Sequence, residues 1–499
     1  MGIPSYYKKL VHSINASNTS YGSIGSNESL ITTSNHDIDW LFMDFNCLIY
    51  HCITPYTEEK EQWEESLLER ICTYSLYVSK QVAPKMGVFI AIDGVVPMAK
   101  MRQQRLRRFK SIWSDSKKWD TNAITPGTEF MKKLHTSLTK MINKLELPWT
   151  LSSSDEPGEG EHKILAEWRK GTYRGDFAIY GLDADLIILS MLGQECYSLH
   201  NNIWLFREVQ DTKEVKEVKR NKTYNEFEWF SINVLRDSIC TDRLSILNYC
   251  CAMSILGNDF LPSSLGLKIR DNGHSYLCTL LSHMASQHIY LVDPDTLDLC
   301  TEGIKWLFTA LSSQESQQIS TYIIKKMAMS VDVPLGHNDW PLTNIEEKCL
   351  VGHRGLHPSW KRSYLSLLKH DSISTICDEY IRGIQWIWNY YTGRPVCFNW
   401  YYSFSLPPLW EWLRDHFTTI PEQIIHIRAE DIRPVEQLVL VLPLQSWDLI
   451  PSCPEKRFPI LAPQFYPEKF TFESVGKRFF WECEANIPIP TIIELKTIM

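Results

Sequence analysis

Three short apolar runs, each leading into an aspartate, constrain the fold more than any other feature. They are WLFMDF (40–45), GVFIAID (87–93) and DFAIYGLD (176–183). None alternates apolar with polar residues. A strand covered on one face alternates with period two; a strand of a parallel sheet is covered on both faces and reads as an unbroken apolar run. The stretches between them, 62–80 and 128–145 among them, read as helices. This order gives an α/β fold, a mostly parallel central sheet with helices on both faces. Asp44, Asp93 and Asp183 each end an expected strand. Ligands of open α/β sheets bind beyond the carboxyl ends of the strands, so three carboxylates are expected at one edge.

More acids crowd the same region. In DEPGEGEHK (155–163), Glu159 and Glu161 fall where glycines give way to helix formers. A helix start favours negative charge. Two residues apart, they do not share a helical face, so one of them is expected to act through a water. In YGLDADLIIL, Asp183 and Asp185 would lie on the same side of an extended segment. Asp259 follows an apolar run, 244–256, that reads as a helix ended by Gly257. Any one of these acids alone could be a helix cap or turn residue. Gathered together they need a counter-charge. Hard divalent cations take such oxygen ligands, and two of them can drive phosphodiester hydrolysis.

KMRQQRLRRFK (100–110) places Lys100, Gln104, Arg107 and Arg108 at i, i+4, i+7 and i+8, one face of a helix. Two guanidinium groups, an ammonium and an amide suit a phosphate group. An ordinary solvated basic face has the same spacing. The chain carries a formal net charge of −8, which argues against a coat for nucleic acid but allows a local basic patch.

At 499 residues and 44% hydrophobic, the chain is long and apolar enough for two sizeable cores. A soft boundary falls near residue 270. Residues 1–270 are expected to form a domain with the metal site. Residues 271–499, a mixed and aromatic-rich region, are expected to pack against it and complete the pocket. The Ser-, Asn- and Gly-rich stretch about 15–36 reads as a flexible insertion. The 14 cysteines form no CxxC pair, so free thiols are expected and no zinc site. No apolar run spans a membrane and no signal peptide opens the chain. A cytoplasmic location is expected, with the nucleus left open.

In this order the segments MGIPSYY, MDFNCLIYHC, AIDGVVPMAKMRQQRLRRF, TPGTEFM, DEPGEGEHKI, YGLDADLI, LGNDFLP, YIRGIQWIWNYY, WYYSF, FYPEKF and GKRFFW resemble the eukaryotic 5′-to-3′ exoribonuclease (XRN) family. The resemblance runs from residue 1 to about 485. It implies a flap-nuclease-like (PIN) sheet and processive degradation of single-stranded RNA bearing a 5′-monophosphate to mononucleotides. It also implies seven metal ligands, Asp44, Asp93, Glu159, Glu161, Asp183, Asp185 and Asp259, holding Mg²⁺, two ions, with Mn²⁺ as a substitute. It assigns Lys100, Gln104, Arg107 and Arg108 to the 5′-phosphate, a pocket too small for capped or triphosphorylated ends. Base stacking falls to Tyr50 and Trp386, with Trp400 in reserve, and a narrow entrance near Pro4 and Pro97 would exclude duplexes. A monomer is expected.

The sequence departs from the family at several points. Tyr50 stands where the family has His, Lys8, Lys9 and Leu10 replace an Arg-Trp pair, and no zinc knuckle is present. The chain ends soon after GKRFFW, so a core-only form is expected. A structure-specific DNA nuclease of the flap-endonuclease class is the nearest alternative. It would carry a glycine-rich hairpin where this chain has LPSSLGLKIRDNG. A catalytically silent RNA-binding scaffold is the other.

Overall fold

The apolar runs form strands because every position along them is covered. GVFIA is buried at all five residues, FAIY at all four, and WLFMD at its last four. Burial of successive residues, which point to opposite faces, means that both faces of the sheet are packed. The computed structural model describes residues 6–7, 9–11, 29–55, 60–112, 119–197, 201–209, 226–239, 242–329, 341–342, 346–352, 355–370 and 372–499. Most of the expected insertion, and Pro4, lie outside these.

The sheet contains β1 (Ile31–Thr32), β2 (Trp40–Asp44), β3 (Gly87–Ala91), β4 (Trp149–Ser152), β5 (Phe177–Tyr180), β6 (Ile203–Glu208) and β7 (Phe227–Ser231). Their spatial order is β1-β7-β6-β5-β2-β3-β4. The run from β6 to β4 is parallel, with Asp44 of β2 in register with Ala91 of β3. β7 and β1 add antiparallel edges. The helix Gly160–Arg169 packs on β2 and β3, Glu129–Ile142 on β4, and Asp185–Cys196 and Ile232–Ile239 on β6. The expected helix at 128–145 begins at Glu129 because Thr128 caps it, its Oγ1 accepting from Met131 N.

By its internal contacts the chain divides into two compact units. One, residues 6–96 and 117–246, contains the sheet. The other gathers residues 1–5, 97–116 and 247–499. Its longest helices are Thr301–Met327 and Ile373–Tyr391, and it includes the Met98–Ser111 helix. Its core is aromatic: Trp386 lies between Tyr390 and Trp400, at 4.9 and 5.2 Å between ring centroids, with Phe260 edge-on. Among the described residues no helix is long and apolar enough to cross a membrane.

Candidate active site

From β2 the chain winds outward through β3 to β4, then returns to β5 on the other side of β2. The winding therefore reverses between β2 and β5. The crevice beyond the carboxyl ends of two such strands is the ligand site of open α/β sheets. Asp44 ends β2; Asp93 lies two residues past β3, and Asp183 three past β5.

One expectation is corrected here. LDADL is not an extended segment with Asp183 and Asp185 on one side. β5 stops at Tyr180, Ala184 is already helical (φ −76°, ψ −20°), and Asp185 opens the helix Asp185–Cys196. The apolar run after Asp185 is buried as a helix, and the turn before it is tight. A Cβ at Gly181 would lie 2.3 Å from the Leu186 side chain.

The glycine-rich junction forms as the sequence indicates. Glu159 is the residue before the helix Gly160–Arg169, and Glu161 is in its first turn. Gly158 has φ +109°, which favours glycine. At Gly160 a Cβ would sit 2.5 Å from Asp44 Oδ1, so only a glycine lets the helix start approach the strand end this closely. Paired backbone bonds join the junction to the loop after β3: Gly94 N to Gly158 O (2.8 Å) and Gly158 N to Val95 O (2.7 Å). Buried Lys163 donates to Ile92 O and Ser153 O, both at 2.7 Å, and so braces the ends of β3 and β4.

This scaffold brings one oxygen each of Asp44, Asp93 and Glu161 within 4.8 Å of one another, and likewise one oxygen each of Glu159 and Glu161 with a ring nitrogen of His162. Burial pushes the Asp44 carboxyl well above its usual range, and Asp93, Asp183 and Asp185 push it further. Asp93 is fixed from two sides: Gly160 N donates to Oδ1 and Asn46 Nδ2 to Oδ2, each at 2.7 Å. Buried carboxylates at this separation repel, and a cation among them removes the penalty. The oxygen donors are hard, so the cluster fits a divalent metal ion. Among the described residues Asp183 and Asp185 lie outside both close groups. Asn46 and His162 were not singled out from the sequence; Asn46 stands two residues after Asp44, and His162 directly follows Glu161.

Asp259 belongs to the other unit, just past the helix Arg243–Leu256, and pairs with Lys100 at 2.9 Å. Burial pushes the Asp259 carboxyl up, but Lys100 and Arg107 hold it below its usual range. Lys100, Gln104, Arg107 and Arg108 all lie on the Met98–Ser111 helix, with different surroundings. Arg107 is exposed and Arg108 buried. Gln104 is buried and accepts from Gln437 Nε2 at 3.3 Å. Between them Arg105 is fully buried, donating to the carbonyls of Leu440 (2.7 Å), Pro488 (3.2 Å) and Phe465. Tyr50, on the helix Phe45–His51, is 44% exposed. Trp386 is 2% exposed and donates to Cys397 O at 2.9 Å, its ring against Tyr390 and Trp400.

Residues 1–208 match the family profile described as XRN 5′-3′ exonuclease N-terminus, and residues 359–496 that described as Xrn1 helical domain. Similar proteins include "5′-3′ exoribonuclease 1" of Homo sapiens, 26% identical over 91% of this chain and 32% of the relative. "5′-3′ exoribonuclease 2" of Candida albicans is 23% identical over 93% and 68%. "5′-3′ exoribonuclease 1" of Saccharomyces cerevisiae is 31% identical over 46% and 18%. The chain thus spans about a third of the length of the human relative.

Proposed function

The chain belongs to the XRN 5′-3′ exonuclease family, and from that premise we propose that it is a processive 5′-to-3′ exoribonuclease. Its substrate is single-stranded RNA with a 5′-monophosphate, released as mononucleotides. The observation that carries this reading is the close approach of Asp44, Asp93 and Glu161 at the edge where the sheet reverses its winding. Residues 1–270 are the nuclease part in this reading, and residues 271–499 complete the pocket and the path of the strand. The protein acts as a monomer.

Asp44, Asp93, Glu159, Glu161, Asp183, Asp185 and Asp259 would hold the metal, proposed as two Mg²⁺ ions with Mn²⁺ as a substitute. Such ions, when bound, supply an activated water and neutralise charge at the scissile phosphate. The residues around the acids do the rest. Gly160 N–H and Asn46 orient the Asp93 carboxylate. Lys163 holds the strand ends at fixed spacing. The 5′-phosphate is assigned to Lys100, Gln104, Arg107 and Arg108. Without substrate, Lys100 and Asp259 neutralise each other. With it, the ammonium would be released to the phosphate, and the carboxylate would be free to help hold a metal ion. Base stacking is assigned to Tyr50, whose ring is exposed, with Trp386 its proposed counterpart once its ring is uncovered.

The test is a time course on one RNA carrying a 5′-hydroxyl, a 5′-monophosphate or a 5′-triphosphate, with Mg²⁺. Only the monophosphate form should disappear from its 5′ end, yielding mononucleotides. Asp183→Ala should lower the rate at least ~1000-fold while RNA capture persists, as expected for loss of a ligand at the reacting centre. Equal decay of all three forms, or preferential cutting of a DNA flap, rejects the reading.

A further inference from the structure

The unit that contains the Met98–Ser111 helix encloses a second feature, a cavity of about 290 Å³. Arg102, Arg107 and Lys110 line it from that helix, and Lys268 and Arg270 from the segment after Asp259. Lys477, Arg478 and Trp481 line it from near the end of the chain. Seven cations thus face three acids, Asp259, Glu482 and Glu484. In a chain with 59 acidic and 51 basic residues that is a marked local reversal of sign.

Part of this charge is neutralised. Arg270 pairs with Glu482 at 2.7 Å, Arg478 with Asp271 at 2.5 Å, and Arg102 approaches Glu484 at 3.8 Å. Lys268 donates to the carbonyl of Gly476 at 3.0 Å and lies over the Tyr322 ring at 5.1 Å; Lys110 donates to the carbonyls of Phe480 and Cys483 and lies over the Phe480 ring at 4.6 Å. Among the described residues Arg107 and Lys477 make no ion pair or side-chain hydrogen bond. Burial and the nearby Lys477 hold Lys268 down to about 8. Burial works to raise the Glu484 carboxyl, yet Lys477 and Arg102 keep it below its usual range. Such a field is short of negative charge.

The wall of the cavity is fixed in place. Gly476, at φ +76°, donates to Glu347 Oε1 at 2.6 Å, and Glu347 is paired with buried Lys326 at 2.7 Å. Lys268 holds Gly476 from its other side. Lys477 therefore projects from an anchored turn. Trp481 is 44% exposed, with the Arg270 guanidinium 5.4 Å from its ring and Phe479 stacked at 6.0 Å. Leu261, Pro262 and Val475 supply an apolar floor. An exposed indole that shares a cavity with two cations making no ion pair, Arg107 and Lys477, is a combination that can bind a base and its phosphate together. The volume is close to the lower end of small-ligand pockets, roughly 300 Å³.

We propose that this cavity is a nucleotide subsite: the base lies against Trp481 and the phosphate is held between Arg107 and Lys477. Trp481 and Lys477 stand outside the seven acids and the stripe; Arg107 is shared with the stripe. The ligand is a phosphorylated nucleotide, either free in solution, as the released product would be, or one unit of the RNA strand. Its source rests on the exoribonuclease reading; the site itself does not.

The experiment uses the full chain in a chelator, so that no hydrolysis occurs. Calorimetry follows adenosine 5′-monophosphate and adenosine, and fluorescence anisotropy follows a labelled 5′-hydroxyl oligoribonucleotide. Trp481→Ala, Trp481→Phe and Lys477→Glu are compared with wild type, each checked for an unchanged thermal transition. Trp481→Ala and Lys477→Glu should each weaken binding about tenfold, and Trp481→Phe should stay within about threefold of wild type. Weakening of the mononucleotide assigns the site to a free nucleotide; weakening of the oligonucleotide alone assigns it to a unit of the strand. Unchanged affinity for both ligands in Trp481→Ala and Lys477→Glu, or no binding of either by wild type, overturns the proposal. Hydrolysis of 5′-monophosphate RNA with Mg²⁺ is measured separately, so loss of the exoribonuclease reading is seen independently of loss of this site.

Discussion

Gly160 has no room for a methyl group. A Cβ there would meet Asp44 Oδ1 at 2.5 Å and Ala91 O at 3.0 Å. Gly160→Ala must therefore displace the carboxylate, the strand end or the helix start. A displacement of about 1 Å at a reacting centre costs on the order of 100-fold in rate. We expect that loss in kcat, with RNA capture in chelator unchanged; a variant with wild-type kcat would show the junction to be more yielding than its contacts imply. Much of this site was legible in the sequence. An acid closing or following an apolar run marks Asp44, Asp93 and Asp183, and GEGEHK marks the helix start. Asn46 was illegible because its partner, Asp93, meets it only in the fold, and His162 because a histidine in the first turn of a helix carries no mark of its own beside two acids. For Trp386 the sequence is silent on its surroundings: a tryptophan in an apolar helix reads the same whether it packs or stacks, and only the fold shows its ring between Tyr390 and Trp400.

At the scale of elements, the short helix Trp410–His416 depends on a group far away in sequence. Glu315, on Thr301–Met327, accepts from Trp410 N at 2.8 Å and Glu411 N at 3.1 Å, and so satisfies the helix start. Burial raises its carboxyl from 4.5 to about 7, against the lowering effect of those two bonds. Between these values the folded chain keeps a proton that the unfolded chain has released. Stability of this packing therefore falls as pH rises from about 4.5 to about 7, by up to about 3 kcal/mol, and levels off above. Hydrogen exchange at Trp410–His416, corrected for intrinsic rates, should show protection declining across that window. In Glu315→Gln the slope should flatten; an unaltered slope would assign the pH dependence elsewhere. The helix Trp410–His416 was not anticipated, because its capping group lies 95 residues upstream. The parallel strands were, because double-sided burial leaves a local trace.

For the molecule as a whole, the net charge of −8 conceals a division of labour. Acids crowd one unit's sheet edge while seven cations line the other's cavity. Capture of single-stranded RNA in chelator should weaken with salt at a log–log slope near −2, as about three neutralised phosphates would give. Lys477→Gln should reduce that slope by about 0.7, read from anisotropy titrations at several salt concentrations; an unchanged slope would remove Lys477 from the RNA path. Neither unit is a continuous stretch of chain, since the chain passes between them after residues 5, 96, 116 and 246. Arg105, encoded well upstream, is the guanidinium that serves the carbonyls of Leu440, Phe465 and Pro488. A gene severed once at codon 246 would yield a C-terminal fragment with those three oxygens stripped of their shared donor. The two units are therefore inherited as one: neither could be borrowed by another gene as a ready-made cassette.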